Sequence, residues 1–391
     1  MRTPVPLPVP GRVVDRLFER QSVNPEGPAN RTIALAPDGR AVLVLDQTRL
    51  PFETVWKRLA TLDDAVAAIR TMVVRGAPLI GVTAAFGLWL ALRADPSDAS
   101  LARARAALVA SRPTAVNLAW AVARVAADAA RVAPGARAAA ALASAEALAA
   151  DDVATNLAIG AHGVVMISAA WERTGRSRPV RVLTHCNAGW LATVAGGTAL
   201  APVYEAHRRG IAVEVVADET RPRNQGASLT AYELREAGVP CVVVADNASG
   251  HLLQRREVDL VIVGADRVAA NGDVANKIGT YLKALAAFDA AVPFYVACPV
   301  STIDPSMRDG VCDIPIERRS EREVTHVRGR AADGSIVEVQ VVPDGVRADN
   351  PAFDVTPARL VTGLITERGV VPASDEGVAT VLAGAPARRP A

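Results

Sequence analysis

A chain of 391 residues with 50% apolar content is long enough to bury two cores, and a formal net charge of +2 gives no basic field for holding nucleic acid. Aromatic residues make up 4% of the chain, too few for the stacking surface that a single strand of nucleic acid requires. Cys186, Cys241, Cys298 and Cys312 form no C-x-x-C pair and the histidines no H-x-x-x-H spacing, so neither a zinc site nor a disulfide scaffold is signalled.

The first ten residues hold four prolines and read as a loose tail. They lack the charged-then-apolar pattern of a leader, and no uninterrupted apolar run reaches about 18 residues. A cytoplasmic protein with reduced thiols and no membrane partner is the expectation. Asp38-Gly39, between Thr32-Ile-Ala-Leu35 and Ala41-Val-Leu-Val-Leu45, predicts a hairpin, because glycine tolerates the positive φ of a tight turn. From Thr61 to Val74 the apolar residues Leu62, Val66, Ile69 and Val73 have helical spacing, with Thr61 as cap. That helix runs into Arg75-Gly76-Ala77-Pro78, where a flexible glycine and a new helix start beside an arginine suit an anion. A helix corner with a surface arginine fits the same residues. From Val82 to Trp171 the chain reads as four or five bundled helices, with breaks at Asp95-Pro96, Arg112-Pro113-Thr114 and Pro134-Gly135. Arg112 thereby falls on a helix-starting loop, as a second anion candidate or a capped surface turn. The polar stretch Glu172 to Pro179 reads as a domain boundary.

Beyond it the rhythm changes. Val180 to Leu183, Ala212 to Ala217, Cys241 to Ala245, Leu260 to Val263 and Phe294 to Ala297 are strand-like runs separated by helical patterns. The predicted fold class is α/β: a small N-terminal β element and a helical domain, then a doubly wound parallel sheet. In such a sheet the polar strand ends converge on one rim: Thr184-His-Cys-Asn-Ala-Gly189, Asp218-Glu-Thr-Arg-Pro222, Asp246-Asn247, Asp266 and Cys298-Pro299. No G-x-G-x-x-G follows the first strand and no phosphate loop of the G-x-x-x-x-G-K type occurs, so no nucleotide cofactor is signalled.

The stretch Val258 to Ala287 is the most informative. Leu260 to Val263 fits a strand buried on both faces, which places Asp266 at its carboxyl end. An Asx turn explains an aspartate there equally well. After Asn271-Gly272, Asp273 is positioned to cap a helix whose early residues include Asn276 and Lys277. Such a start is an anion site or a solvated first turn.

Taken together, Arg75-Gly-Ala-Pro, Arg112-Pro-Thr-Ala-Val-Asn117, Thr184-His-Cys-Asn-Ala-Gly189, Asp218-Glu-Thr-Arg-Pro-Arg-Asn-Gln-Gly226, Gly264-Ala-Asp-Arg through Asn276-Lys-Ile-Gly-Thr-Tyr281, and Asn350-Pro-Ala-Phe-Asp-Val-Thr-Pro357 resemble the motif series of the 5-methylthioribose-1-phosphate isomerases. The likeness runs from Arg12 to Val371, and six motifs in order are highly specific. The resemblance implies an aldose–ketose isomerase of methionine salvage, with a sugar-phosphate substrate, no metal and no cofactor. It implies a homodimer whose Rossmann-like domain lacks the dinucleotide fingerprint, on a fold shared with regulatory subunits of a translation-initiation guanine-exchange factor. Residues 1–11 would be a flexible tail, 12–172 the mainly helical domain, 180–371 the catalytic domain and 372–391 a second flexible tail. The matching makes Cys186 and Asp266 catalytic, and Arg75, Gly76, Ala77, Arg112, Gln225, Asn276 and Lys277 substrate-binding.

One departure stands out. Where many of these enzymes have Asp-Ser-Met-Ala after the third strand, this chain has Asp246-Asn-Ala-Ser-Gly-His251. That variant resembles a subgroup expected to accept 5-deoxyribose 1-phosphate as well. Ribose 1,5-bisphosphate isomerase and non-catalytic regulatory subunit are the more distant alternatives.

Overall fold

The computed structural model describes residues 31–112 and 115–384. The expected tail over 1–11, the residues Pro113 and Thr114 of the second arginine loop, and the segment 385–391 lie outside the described residues.

The chain opens with β1 (Ile33–Leu35) and β2 (Val42–Leu45), paired antiparallel around a turn in which Gly39 has φ +65°. A third strand, β3 (Trp56–Leu59), completes this sheet. Its Trp-Lys-Arg-Leu sequence carries too little alternation to be read as a strand. Helix α1 (Leu62–Arg70) starts at Thr61 in a reciprocal capping box with Asp64 and ends at Arg70, short of Val74, because Met72 turns to φ +61°.

Four helices follow: α2 (Ala77–Ala94), α3 (Asp98–Ser111), α4 (Val116–Ala130) and α5 (Arg137–Arg173), with the three expected breaks between them. Helix α2 is the core element, packed against all the other helices of this half. It is apolar on every side because it is enclosed on every side. Helix α2 and the segment Pro134–Arg173 are long and apolar enough to cross a membrane by length and composition alone, but 83% of the α2 window is buried inside the fold.

The second half contains β4 (Val180–Thr184), α6 (Ala201–Arg208), β5 (Val213–Asp218), α7 (Ala231–Glu236), β6 (Cys241–Val244), α8 (Ala248–Gln254), β7 (Leu260–Val263), β8 (Arg267–Ala269), β9 (Val274–Lys277), α9 (Thr280–Asp289), β10 (Phe294–Ala297), β11 (Ile303–Asp304), the hairpin β12 (His326–Arg330) and β13 (Ile336–Gln340), β14 (Phe353–Thr356), β15 (Gly363–Thr366) and β16 (Gly369–Val371). The large sheet runs β16-β15-β10-β7-β4-β5-β6. All five expected strands are present and parallel, and β15 extends them while antiparallel β16 closes one edge. In chain order the six parallel strands lie 3-2-1-4-5-6, the doubly wound order with its switch point between β4 and β7.

Two expectations are corrected. Asn276 and Lys277 lie in strand β9, not in the first turn of a helix. Strand β9 pairs antiparallel with β14, a partner far along the chain that local spacing cannot show. The helix starts only at Thr280, after Gly279 takes φ +99°. Asp273 caps nothing there, and its carboxylate accepts instead from the N–H groups of Gly310, Val311 and Ala358. The expected tail from 372 is ordered as far as helix α10 (Asp375–Leu382), which Ser374 caps and whose Val378 and Val381 enter the core.

Candidate active site

The loops that follow β4 and β7 leave adjacent parallel strands in opposite directions, which opens a crevice at the carboxyl end of the sheet. A cleft of about 680 Å³ lies there, walled from the other side by the start of α2. Arg75, Gly76, Ala77, Arg112, Cys186, Gln225, Asp266, Asn276 and Lys277 all line it. The structure thus brings together every residue singled out from the sequence, from five separated segments.

Each position has a local cause. Gly76 has φ +90°, and a Cβ there would stand 2.3 Å from the Ala192 carbonyl oxygen, so no other residue fits between the helix and the β4 loop. No side chain caps α2, whose first residues Ala77 and Pro78 border the cleft, so the positive end of its dipole is available to an anion. The Arg75 guanidinium donates to both the side-chain and the main-chain oxygen of Asn187, the latter at 2.6 Å. Arg112 is tethered to Glu317 at 3.2 Å, and its Nε, though buried, has no partner among the described residues. Gln225 Oε1 is also buried and unpartnered. Two unsatisfied polar atoms on residues that line one cleft are what a polar ligand would complete.

Cys186 has φ +66°, a left-handed conformation that costs a non-glycine residue on the order of 1–3 kcal/mol. Thr220, itself at φ +65°, accepts from the Cys186 N–H at 2.8 Å, and Thr230 donates to the Cys186 carbonyl at 2.7 Å. The loops after β4 and β5 therefore hold the thiol's backbone between two hydroxyls. Asp266 follows Gly264 and Ala265 at the end of β7. Burial pushes its carboxyl above the usual carboxylate range, against the pull of Lys277, Arg112 and Arg75. Burial likewise lowers Lys277, and Cys186 and Asp266 oppose that shift. Lys277 donates to the Ala352 carbonyl at 2.8 Å and lies 4.7 Å from the Phe353 ring centre. Asn276 donates to Thr280 Oγ1 at 3.0 Å.

Some cleft residues escaped the sequence reading: Met72, Arg319 and Phe353 among them. Arg319 belongs to a charged run, Glu317-Arg-Arg-Ser-Glu-Arg-Glu323, that reads as a solvated loop. It is in fact folded inward and paired with Glu323 at 3.0 Å. His185, also on the wall, faces Asp218 at 3.1 Å through Nδ1 and the Ile278 carbonyl at 2.8 Å through Nε2. His185, Asp218 and Asp246 are close enough to hold a metal ion. However, the Lys283 ammonium already stands 3.2 Å from Asp218, and the Asp246 carboxylate accepts from the N–H groups of Thr220 and Arg221. None of residues 246–251, the divergent segment, touches the cleft.

The model of the initiation factor 2 subunit family matches residues 73–373. The methylthioribose-1-phosphate isomerase of Methylorubrum extorquens is 60% identical over 90% of this chain and 96% of its own length. Among solved structures, the 5-methylthioribose 1-phosphate isomerase of Pyrococcus horikoshii OT3 superposes with a TM-score of 0.77 at 36% identity, covering 93% of this chain and 99% of that one. The translation initiation factor eIF-2B subunit delta of A. fulgidus follows at 0.73 and 36%, covering 91% and 100%. The chain belongs to the initiation factor 2 subunit family and, within it, to the methylthioribose-1-phosphate isomerases.

Proposed function

We propose that this protein is an aldose–ketose isomerase that converts 5-methylthioribose 1-phosphate to 5-methylthioribulose 1-phosphate, a step of methionine salvage. The observation that carries the reading is the meeting of Cys186 and Asp266 with Arg75, Arg112 and Lys277 in one cleft at the sheet's switch point. A non-catalytic subunit has no reason to keep the thiol and the raised carboxyl together.

The chemistry follows from the substrate. Its anomeric carbon is locked as a phosphate acetal, so the ring must open with the phosphate attached. The bond from C1 to the ring oxygen breaks, and a proton goes to that oxygen. Asp266 is the donor: its raised pKa keeps a proton available nearer neutrality. Two routes then lead to the ketone. In one, a hydride moves from C2 to C1 while the 2-hydroxyl loses its proton. In the other, a base removes the C2 proton, and the resulting enol phosphate is reprotonated at C1 as its 2-hydroxyl loses a proton to leave the ketone. Cys186 serves as the base or stabilises the transition state. The uncapped start of α2, Arg75, Arg112 and Lys277 grip the phosphate, a part of the substrate that does not react.

The 5-substituent sits on C5, the exocyclic carbon attached to C4, and C4 bears the ring oxygen, so the substituent lies within reach of whatever protonates that oxygen. A recess opens beside Asp266 and is walled largely by Ile80, Ala115, Ala275, Ile314, Ile316 and Phe353. The two arginines that touch it, Arg112 and Arg267, are engaged by Glu317 and Asp304. Such a wall suits a methylthio or methyl end and offers no spare cation for a second phosphate. The homodimer that the resemblance implies would cover apolar surface at Leu282 and Phe288, each 63% exposed on α9.

Asp266→Asn keeps the shape and loses the proton, so kcat should fall by about 100- to 10,000-fold with KM little changed. The wild-type rate should also decline as pH rises through the raised pKa, where the acid form disappears. A kcat within about threefold of wild type would remove Asp266 from this role. Cys186 should be alkylated by iodoacetamide in the free enzyme and protected by a substrate analogue, and equal labelling in both would place the thiol outside the pocket. With chelator present and no nicotinamide, 5-methylthioribose 1-phosphate and 5-deoxyribose 1-phosphate should have kcat/KM values within about two orders of magnitude of each other, as expected of an apolar difference. Ribose 1,5-bisphosphate should be far poorer, and a preference for it would overturn the recess argument. Sedimentation velocity should give a dimer, and a monomer at micromolar concentration would refute that assembly.

A further inference from the structure

Glu233 is fully buried on α7 and takes no part in the chemistry above, yet among the described residues no cation pairs with it. Its carboxylate is held by four donors instead. Oε1 accepts from Asn187 Nδ2 at 2.6 Å and from the Leu191 N–H at 3.1 Å; Oε2 accepts from the Trp190 N–H at 2.7 Å and the Tyr204 hydroxyl at 2.9 Å. Three of these donors belong to the loop that leaves Cys186. The loop is shaped to the carboxylate: a Cβ on Gly189 would stand 1.8 Å from Glu233 Oε2.

The same loop reaches the substrate side of the cleft at two points. Asn187, whose amino group is fixed by Glu233, turns its carbonyl oxygen to Arg75. Ala192, one residue past Leu191, presses its carbonyl on Gly76. Thr230, three residues before Glu233, holds the Cys186 carbonyl. One buried carboxylate thus faces the segment that carries the thiol and, through one amide, the arginine that would meet the phosphate.

We propose that Glu233 is a positioning residue of this site: it fixes the orientation of Asn187, and through Asn187 it aims the Arg75 guanidinium into the cleft. The proposal rests on reading the cleft as a sugar-phosphate site. A buried acid is required because two main-chain N–H groups, an amide and a phenol all point at one place as donors, and only a carboxylate accepts from all four. Glutamine at this position fails in either orientation. If its amino group faces Trp190, that N–H is orphaned. If it faces Asn187, the asparagine must flip and present its own amino group to Arg75. Burial raises Glu233 to about 7, which is the cost of holding a carboxylate without a cation.

Steady-state kinetics on 5-methylthioribose 1-phosphate test this. Arg75 grips a part of the substrate that is bound alike in the ground and transition states, so Glu233→Gln should raise KM by about tenfold or more, with a smaller change in kcat. Tyr204→Phe removes one donor and leaves the carboxylate on Asn187, so its KM should stay within about twofold of wild type. Should Glu233→Gln fail to fold, Asn187→Ser breaks the same relay with Glu233 intact and should reproduce the rise in KM. In a folded pair the effects of Glu233→Gln and Asn187→Ser should be strongly non-additive. An unchanged KM in either variant, or additive effects, overturns the relay. A wild-type enzyme with no turnover overturns the reading of the cleft itself, and the proposal with it.

Discussion

The parallel pairing of β4 with β7 is the constraint on which the molecule depends. Val182 and Leu183 lie against Leu260 and Val261, and all four are buried. That pairing joins the two halves of a doubly wound sheet at the point where their crossovers part. The loops leaving it cannot pack on each other, and the gap has to be lined by side chains. Cys186 stands two residues past one strand and Asp266 three residues past the other. Everything else in the site is brought to this gap from elsewhere.

The helical half supplies what the sheet lacks. Cys186 and Asp266 offer acid and thiol chemistry, but Arg75, Gly76, Ala77 and Arg112 come from the other half. Helix α2 is rigid because it is enclosed, so its uncapped start is a fixed dipole rather than a mobile one. The β4 loop meets it at the Gly76–Ala192 contact. That loop is anchored from behind by α5 as well: the Asp152 carboxylate accepts from the Val194 N–H at 2.7 Å, and Asn156 donates to the Ala195 carbonyl at 2.9 Å. Two carboxylates, the half-buried Asp152 and the fully buried Glu233, therefore hold one loop, and desolvation raises both to about 7.

Much of this was legible in the residues, for physical reasons. Short β-branched runs ending in polar clusters read as strands of a parallel sheet, and all five were placed, although the edge strand β6 leaves Val242 and Val243 exposed. Thr61 marked a helix start, and Asp38-Gly39 a hairpin. What failed depended on distant partners. Val274 to Lys277 has no strand signal of its own and becomes a strand only beside Phe353 to Thr356. Asp375 to Leu382 was expected to be part of a tail, yet Val378 and Val381 dock it on the core. Arg319 was hidden in a run of charges. Glu233 lies 46 residues from Asn187, and nothing in the α7 sequence distinguishes it from a solvated glutamate. The motif series found Cys186 and Asp266; the supports around them were invisible.

The left-handed backbone at Cys186 bears on how this position can change over evolutionary time. Branched residues such as valine and isoleucine are poorly compatible with φ +66°, so backbone sterics weigh against those replacements before chemistry is considered, although Thr220 beside it holds φ +65°. Glycine, asparagine and aspartate adopt that geometry at little cost. A descendant of this fold released from catalysis would therefore drift at 186 toward glycine or asparagine.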